Sequence, residues 1–541
     1  MTALLELRGL TVALPPGADR PFALQDVSLS LERGRILCVV GESGSGKSMT
    51  ASAVMRLLPD GVRVTAGAVL LDGTELLPLP ESAMRRVRGA RVAMIFQEPM
   101  TALNPLRTIG DQIAEVFRIH TALPKAEIRQ RTLALLEEVR IPDPATARRA
   151  YPHELSGGQR QRAMIAMALA LEPEVLIADE PTTALDVTTQ AQILHLVRDL
   201  QARRGTAVLF ITHDFGVVAE IADDIAVMQG GLVVEHGPAD AVLNYPQHPY
   251  TRTLIAAVPP LSHIPPARPV SAEAALTVTG LCKTFGKASA FRRARRVVLA
   301  LDAVSVSLPR GGTLGIVGES GSGKSTLARC VVRLLDPDAG SIRLGITDLA
   351  TLSPRQLRSE RRRIQMVFQD PYGSLNPRRR VGELVAQGPM VQGVPRAEAM
   401  ERARELFGLV GLNQEAMDRF PHEFSGGQRQ RIGLARALAL RPEVLVADEA
   451  VSALDVSVQA QVLGLLTSLQ ERLSLSTLFI THDLRVAAQI CDRIAVMHQG
   501  RVVEEGTVAA VFGDPQHDYT RALLASVPGR FWVPPADLVR P

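Results

Sequence analysis

The string Val39-Val40-Gly41-Glu42-Ser43-Gly44-Ser45-Gly46-Lys47-Ser48 recurs, almost letter for letter, as Ile316-Val317-Gly318-Glu319-Ser320-Gly321-Ser322-Gly323-Lys324-Ser325. Each copy reads as the end of a buried strand, a glycine-rich turn and the start of a helix, the first such helix spanning Met49 to Leu58. The spacing of Gly41, Gly46, Lys47 and Ser48 is that of a phosphate-binding loop. In such a loop backbone N–H groups cradle the phosphates, the lysine reaches the β- and γ-phosphates and the serine holds Mg²⁺. The helix N-terminus adds a favourable field for an anion. At ordinary residue usage the pattern arises by chance roughly once in thirty thousand positions. The candidate cradle residues are Gly41, Ser43, Gly44, Ser45, Gly46, Lys47 and Ser48, and then Gly318, Ser320, Gly321, Ser322, Gly323, Lys324, Ser325 and Thr326. A plain Gly/Ser turn would explain one copy poorly and two copies worse.

The loop is one part of a longer repeat. Lys47 and Lys324 stand 277 residues apart, while Ser156 and Ser425, Glu180 and Glu449, and His213 and His482 all keep an offset of 269. A period this long excludes a solenoid and points to two complete duplicated domains, expected at 1–258 and 274–541. Between them, 259–273 is a proline-rich, semi-extended linker. A length of 541 residues also exceeds what one core can hold.

Each copy alternates short apolar strands with helical patterns, which predicts α/β units around a mainly parallel sheet. The expected strands of the first copy are Leu4–Arg8, Ile36–Val40, Val92–Phe96, Val175–Ala178, Ala207–Ile211 and Asp224–Met228. Between Pro99 and Arg162 the pattern turns helical (Ile109–His120, Lys125–Val139), which suggests a separate lobe. The second copy repeats it at Val381–Val391 and Arg396–Val410.

Composition excludes several classes. A net charge of +4 over this length argues for no nucleic-acid partner. Cys38, Cys282, Cys330 and Cys491 form no CxxC pair, which argues against a zinc site or disulfide framework and fits a reducing compartment. The N-terminus reaches Glu6 and Arg8 too early for a signal peptide. No window approaches 18 uninterrupted apolar residues, so no membrane-spanning helix is expected. Arginine clusters at 292–296, 361–363 and 378–380 read first as solvated surface, and secondarily as a contact for anionic headgroups.

Two further strings carry chemistry. Val175-Leu176-Ile177-Ala178-Asp179-Glu180 and Val444-Leu445-Val446-Ala447-Asp448-Glu449 are apolar strands ending in paired acids. The first acid can hold Mg²⁺ and the second can polarise an attacking water, which is most of what phosphoryl transfer asks of a protein. Upstream stand Leu155-Ser156-Gly157-Gly158-Gln159 and Phe424-Ser425-Gly426-Gly427-Gln428, each before a helical run (Ala163–Leu171, Ile432–Leu440). A capping serine with two glycines makes a second anion-binding device.

With this LSGGQ-type string, both halves resemble nucleotide-binding domains of ATP-binding cassette (ABC) proteins over nearly the whole chain. The resemblance implies two tandem cassettes, each a RecA-like α/β core with an antiparallel β part and a helical subdomain. It implies ATP and Mg²⁺ as cofactors, with Mg²⁺ held through Ser48, Gln97 and Asp179, and through Ser325, Gln369 and Asp448. Glu180, Glu449, His213 and His482 become the catalytic residues, and Gln97 and Gln369 the Q-loop glutamines. Ala184-Leu185-Asp186 and Ala453-Leu454-Asp455 match the D-loop. Head-to-tail association is implied, so that Lys47 shares a site with Ser425, Gly426, Gly427 and Gln428, and Lys324 with Ser156, Gly157, Gly158 and Gln159.

Strings after the glutamines (Glu98-Pro99-Met100-Thr101-Ala102-Leu103-Asn104-Pro105; Asp370-Pro371-Tyr372-Gly373-Ser374-Leu375-Asn376-Pro377) narrow the resemblance, as do the domain ends (Pro246-Gln247-His248-Pro249-Tyr250-Thr251; Pro515-Gln516-His517-Asp518-Tyr519-Thr520). They are similar to the peptide/nickel importer ATPases in fused form. The implied partners are two transmembrane permeases and an extracytoplasmic solute-binding protein. The implied location is peripheral, on the cytoplasmic face of the cell membrane. On residues alone the His-Pro-Tyr string reads equally as a local turn with a packing tyrosine. Many relatives carry a cysteine-containing extension after this string; 262–269 and 529–541 contain no cysteine, so no iron–sulfur cluster is expected. Phe22, and Phe285 or Phe291, are candidates to stack on adenine. The rival readings are a soluble twin cassette acting on ribosomes or nucleic acid, and an importer of nickel or sugar. The short linker disfavours the first and the two intact sites disfavour a sugar importer.

Overall fold

A computed structural model describes residues 3–182, 185–261, 271–286, 297–452, 454–535 and 538 (side chains of 371 and 372 excepted). Phe291, the 292–296 arginine cluster, Ala184, Ala453 and linker residues 262–270 lie outside the described residues. The chain divides into two compact units. The first comprises Met1–Leu185, Thr189–Val258 and Pro528–Pro541, and the second Asp186–Thr188 and Pro259–Val527.

The first unit is built on a six-stranded sheet in the order Leu232–Pro238, Asp224–Gln229, Ile36–Val40, Ala207–Ile211, Val175–Asp179, Val92–Ile95. Every neighbouring pair is parallel except the edge pair Asp224–Gln229 with Leu232–Pro238. The central strands are continuously apolar because both faces are covered. Leu37, Val39, Val175, Ile177, Leu209 and Ile211 face a second, antiparallel sheet and join its Leu5, Leu7, Leu24, Val27 and Leu29 in one core. The alternate residues Cys38, Val40, Leu176 and Phe210 are equally buried on the opposite face. Phe210, fully enclosed, contributes on the order of 1.5–3 kcal/mol of apolar burial.

The antiparallel sheet has the order Phe22–Glu32, Ala3–Ala13, Arg63–Leu71, Thr74–Glu75. The second unit repeats both layers. Its six strands run Arg501–Thr507, Arg493–His498, Thr313–Val317, Ser476–Ile480, Val444–Asp448, Ile364–Val367. Its four run Val298–Pro309, Ala274–Phe285, Ala339–Leu344, Thr347–Asp348.

The helical lobe of the first unit is formed by Ile109–His120, Lys125–Glu138 and Gly157–Leu169, and that of the second by Val381–Val391, Arg396–Leu409 and Gly426–Leu438. The helices expected from Ala163 and Ile432 begin six residues earlier. Ser156 and Ser425 cap the two glycines, which apolar periodicity alone does not count as helical.

The residues that follow Val527 group with the first unit. Within that unit Gly529 N–H donates to Glu220 Oε2 (3.1 Å) and Trp532 Nε1 to Asn244 Oδ1 (3.3 Å). The 361–363 cluster is not wholly solvated. Arg363 is half-buried and its guanidinium bridges Glu443 (2.6 Å) and Glu360 (2.7 Å).

Candidate nucleotide site

In a parallel sheet, chemistry collects at the carboxyl ends of the strands. Here the strand Ile36–Val40 delivers Gly41, Val175–Asp179 delivers Asp179 and Glu180, Ala207–Ile211 delivers His213, and Val92–Ile95 delivers Gln97. Residues far apart in the chain therefore converge on one rim.

The cradle needs glycine where backbone and neighbours leave no room. Gly41 has φ +151°, and a Cβ there would lie 2.2 Å from Met228 O; Gly318 has φ +148° and the same distance to Met497 O. Gly46 and Gly323, with φ +109° and +106°, precede the helices Lys47–Met55 and Lys324–Val331. Lys47, 5% exposed, donates from Nζ to Gly41 O (2.7 Å) and Glu42 O (2.9 Å). Lys324, 4% exposed, donates to Gly318 O and Glu319 O (both 2.7 Å). Burial holds the Lys324 ammonium below its ordinary range, against the pull of Glu449, Asp186 and Asp448. A buried ammonium hydrogen-bonded to backbone carbonyls suits an incoming anion. Ser45 Oγ and Ser322 Oγ are buried without a hydrogen-bond partner, which also suits a polar ligand in the loop.

The metal-site candidates fit a hard cation. Ser48 Oγ donates to Asp179 Oδ1 (3.0 Å), and Ser325 Oγ to Asp448 Oδ1 (3.1 Å). Mg²⁺ is typically bound through one or two carboxylates together with substrate phosphates and waters, so this oxygen set suffices. Burial, and then the adjacent Glu180 charge, push Asp179 up to about 6 despite the Ser48 hydrogen bond. Asp448 is raised for the same reasons. A carboxylate that is costly to ionise alone gains most from a cation beside it.

The second acid of each pair is held from two sides. Gln97 Nε2 donates to Glu180 Oε2 (3.0 Å) while His213 Nδ1 lies 3.4 Å from Oε1. Gln369 Nε2 donates to Glu449 Oε2 (2.7 Å), with His482 Nδ1 3.4 Å from Oε1. Burial tends to raise Glu449, but His482 and Lys324 outweigh it and hold the carboxyl below its usual range. Burial tends to lower His482, but Glu449 outweighs it and the imidazole is raised. The two glutamates also carry left-handed backbone, φ +45° at Glu180 and +47° at Glu449. That conformation is strained for glutamate and persists where surroundings over-determine it. No sequence pattern had indicated it.

The other expected residues sit on other elements of their units. Ser156, Gly157, Gly158 and Gln159 open the helix Gly157–Leu169. Ser156 Oγ accepts from Gln159 N (3.3 Å) and Gln159 Oε1 from Ser156 N (3.0 Å). Ser425, Gly426, Gly427 and Gln428 repeat this at 3.3 and 3.0 Å. Ser156 and Ser425 are exposed. Of the adenine candidates, Phe22 is half-buried and Phe285 is 40% exposed. Arg20, which sequence reasoning passed over, donates to Gly44 O in the first cradle. A further contact had no local signal: the hydroxyls of Tyr250 and Tyr519 accept from Glu42 N and Glu319 N, both at 3.1 Å.

The profile of the ABC transporter family matches residues 24–183 and again 301–452, more than half of the chain and both cradles. The chain belongs to the ABC transporter family. A second profile, the oligopeptide/dipeptide transporter C-terminal region, matches residues 234–278 and 503–530. This ABC protein is 48% identical to the glutathione import ATP-binding protein GsiA of Escherichia coli O157:H7, over 97% of this chain and 89% of that one. It is 49% identical to the peptidoglycan transport ATP-binding protein YejF of Agrobacterium fabrum, over 97% and 96%. Among solved structures, the ATP-binding cassette MJ0796 bound to ADP and Pi is 28% identical over 43% of this chain and 98% of that one, with a TM-score of 0.39. The twin-cassette architecture and the subfamily named from the domain-end strings both agree with these matches. Among the described residues no helix is long and apolar enough to cross a membrane.

Proposed function

We propose that the chain hydrolyses ATP at two sites, and that hydrolysis drives import of glutathione, peptides or related small solutes through partner permeases. The observation that carries this is the twofold occurrence of one arrangement: a buried lysine in a glycine cradle, a serine–aspartate pair, and a glutamate held between glutamine and histidine. Relatives matched over 97% of the chain, named for glutathione import and peptidoglycan transport, support the cargo class.

In this reading Lys47 and Lys324 exchange carbonyl contacts for phosphate oxygens, while the loop N–H groups surround the same anion. Mg²⁺, held by Ser48, Asp179 and Gln97 or by Ser325, Asp448 and Gln369, would supply neutralisation of phosphate charge. Glu180 and Glu449 orient a water and accept its proton. His213 and His482 fix the carboxylate and stand beside the γ-phosphate. Ser425–Gln428 and Ser156–Gln159, whose serines are exposed, close the opposing cradle, Lys47 with Ser425 and Lys324 with Ser156, in head-to-tail association.

A cleft of about 800 Å³ beside Gln369 in the second unit, lined in part by Phe368, Leu334, Val391 and Arg436, suits an apolar helix end from a permease. The protein would then sit at the cytoplasmic face of the membrane, with an extracytoplasmic binding protein supplying cargo. The test is phosphate release from ATP by the purified chain with Mg²⁺ and with EDTA. Release in Mg²⁺ alone supports the proposal, and no release in either, with or without permease-containing vesicles, overturns it.

A further inference from the structure

The oligopeptide/dipeptide C-terminal region carries a string that the site chemistry did not absorb, and the structure shows what each of its residues does. Glu235, on the edge strand Leu232–Pro238, accepts from Gln247 N (2.7 Å) and His248 N (3.1 Å), which pins the turn. His248 Nδ1 then caps the helix Pro249–Ala256 by accepting from Tyr250 N (3.2 Å). So placed, Tyr250 extends its hydroxyl to Glu42 N, 3.1 Å away and 208 residues earlier. The second unit repeats every step: Glu504 accepts from Gln516 N (2.8 Å) and His517 N (3.1 Å), His517 Nδ1 accepts from Tyr519 N (3.1 Å), and Tyr519 accepts from Glu319 N (3.1 Å). The second copy has Asp518 where the first has Pro249, yet the tyrosine reaches the same atom at the same distance. The proline is dispensable to the device; the glutamate, histidine and tyrosine recur.

The contact falls on the residue that anchors the lysine. Glu42 has its N–H held by Tyr250 and its carbonyl held by Lys47 Nζ; Glu319 is held likewise by Tyr519 and Lys324. A cradle gains affinity when it needs no ordering on binding. We infer that Tyr250 and Tyr519 are positioning residues for nucleotide binding, which lock the first turn of each phosphate loop from the C-terminal region. This rests on the ATPase reading only for the identity of the ligand. Loss of one hydroxyl removes one part-buried acceptor and leaves the ring in place, so each site should lose about three- to tenfold in affinity.

The test compares the full-length chain with Tyr250→Phe, Tyr519→Phe and the double variant by amide hydrogen exchange and by ATP kinetics. The expected result is exchange at Glu42 and Glu319 faster by about tenfold, with Val39–Val40 and Ile316–Val317 unchanged. KM for ATP should rise about three- to tenfold while kcat stays within twofold. A purely structural tyrosine would instead lower melting temperature and kcat together, without selective exchange at the two loops. Unchanged exchange at Glu42 and Glu319, or a rise in exchange with no change in KM, overturns the inference. If the wild-type chain binds no ATP, the ATPase reading fails, and the exchange arm still decides whether the hydroxyls hold the loops.

Discussion

Replacing Glu180 or Glu449 by alanine and by glycine should reverse the usual order of stability. Both substitutions delete the same carboxylate contacts to glutamine and histidine, so those losses cancel between them. What remains is the backbone, at φ +45° and +47°. Left-handed backbone costs a residue with a Cβ roughly 1–2 kcal/mol and glycine almost nothing. Against this, glycine carries about 0.5–1 kcal/mol of extra entropy cost. The balance puts Glu180→Gly above Glu180→Ala by about 1 kcal/mol, and the same at Glu449. For a unit of this size that is a gap of about 2–4 °C in melting temperature. The assay is thermal unfolding of the full-length chain followed by intrinsic fluorescence and calorimetry. An ordinary helical site supplies the opposite sign: Ala134 is exposed in the helix Lys125–Glu138, so Ala134→Gly should lose about 0.5–1 kcal/mol. If the alanine variants at 180 and 449 equal or exceed the glycine variants, the strain does not exist in solution. The claim that surroundings force these glutamates into place would then fall.

The His482–Glu449 pair predicts a pH window. His482 is raised, so its stabilisation is full below the unfolded value of about 6.5 and is lost as pH rises through the folded value; Glu449 is lowered, so its share is present above about 4.3 and lost as pH falls through the folded value. The stability gap between the native chain and His482→Gln, measured by denaturant titration, should be largest between about pH 4.5 and 6.5 and shrink as pH rises from there through the raised His482 value. Gly318→Ala places a Cβ 2.2 Å from Met497 O, so it should remove nucleotide binding at the second cradle alone. Equilibrium dialysis should then count one nucleotide per chain in place of two.

Much of this arrangement is legible in the sequence because buried parallel strands announce themselves. Ile36–Val40 and Ala207–Ile211 are covered on both faces, so they read as unbroken apolar runs bounded by turn residues, and the expected limits match the observed ones. The helices Ile109–His120 and Val381–Val391 show the same agreement, the first flanked by a capping threonine, Thr108. The antiparallel layer was harder. Phe22–Glu32 alternates well only from Val27 onward. Register shifts between Leu7 and Val12 break the two-residue period just where the strand Ala3–Ala13 would otherwise be recognised along its length.

The site divides the same way. Lysine, acids, glutamine and histidine lie next to strand ends, so motif and strand locate each other. The left-handed glutamates and the hydroxyl of Tyr250 on Glu42 depend on contacts across the fold, and no local pattern encodes them. Arg363 illustrates the converse: Glu360, Arg361 and Arg362 before it are charged, and only the tertiary structure supplies Glu443.

The central claim is that each half contributes a working acid to its own ATP site. It is tested most directly by steady-state ATPase measurements on Glu180→Gln, Glu449→Gln and the double variant, with ATP affinity measured alongside. The substitution keeps size and the Gln97 or Gln369 neighbourhood while removing the proton acceptor. Turnover in the double variant should fall by about 10²–10⁴ with ATP still bound, and each single variant should lose a substantial part of it. Turnover unchanged in the double variant, or abolished by one substitution and untouched by the other, would contradict two equivalent catalytic sites.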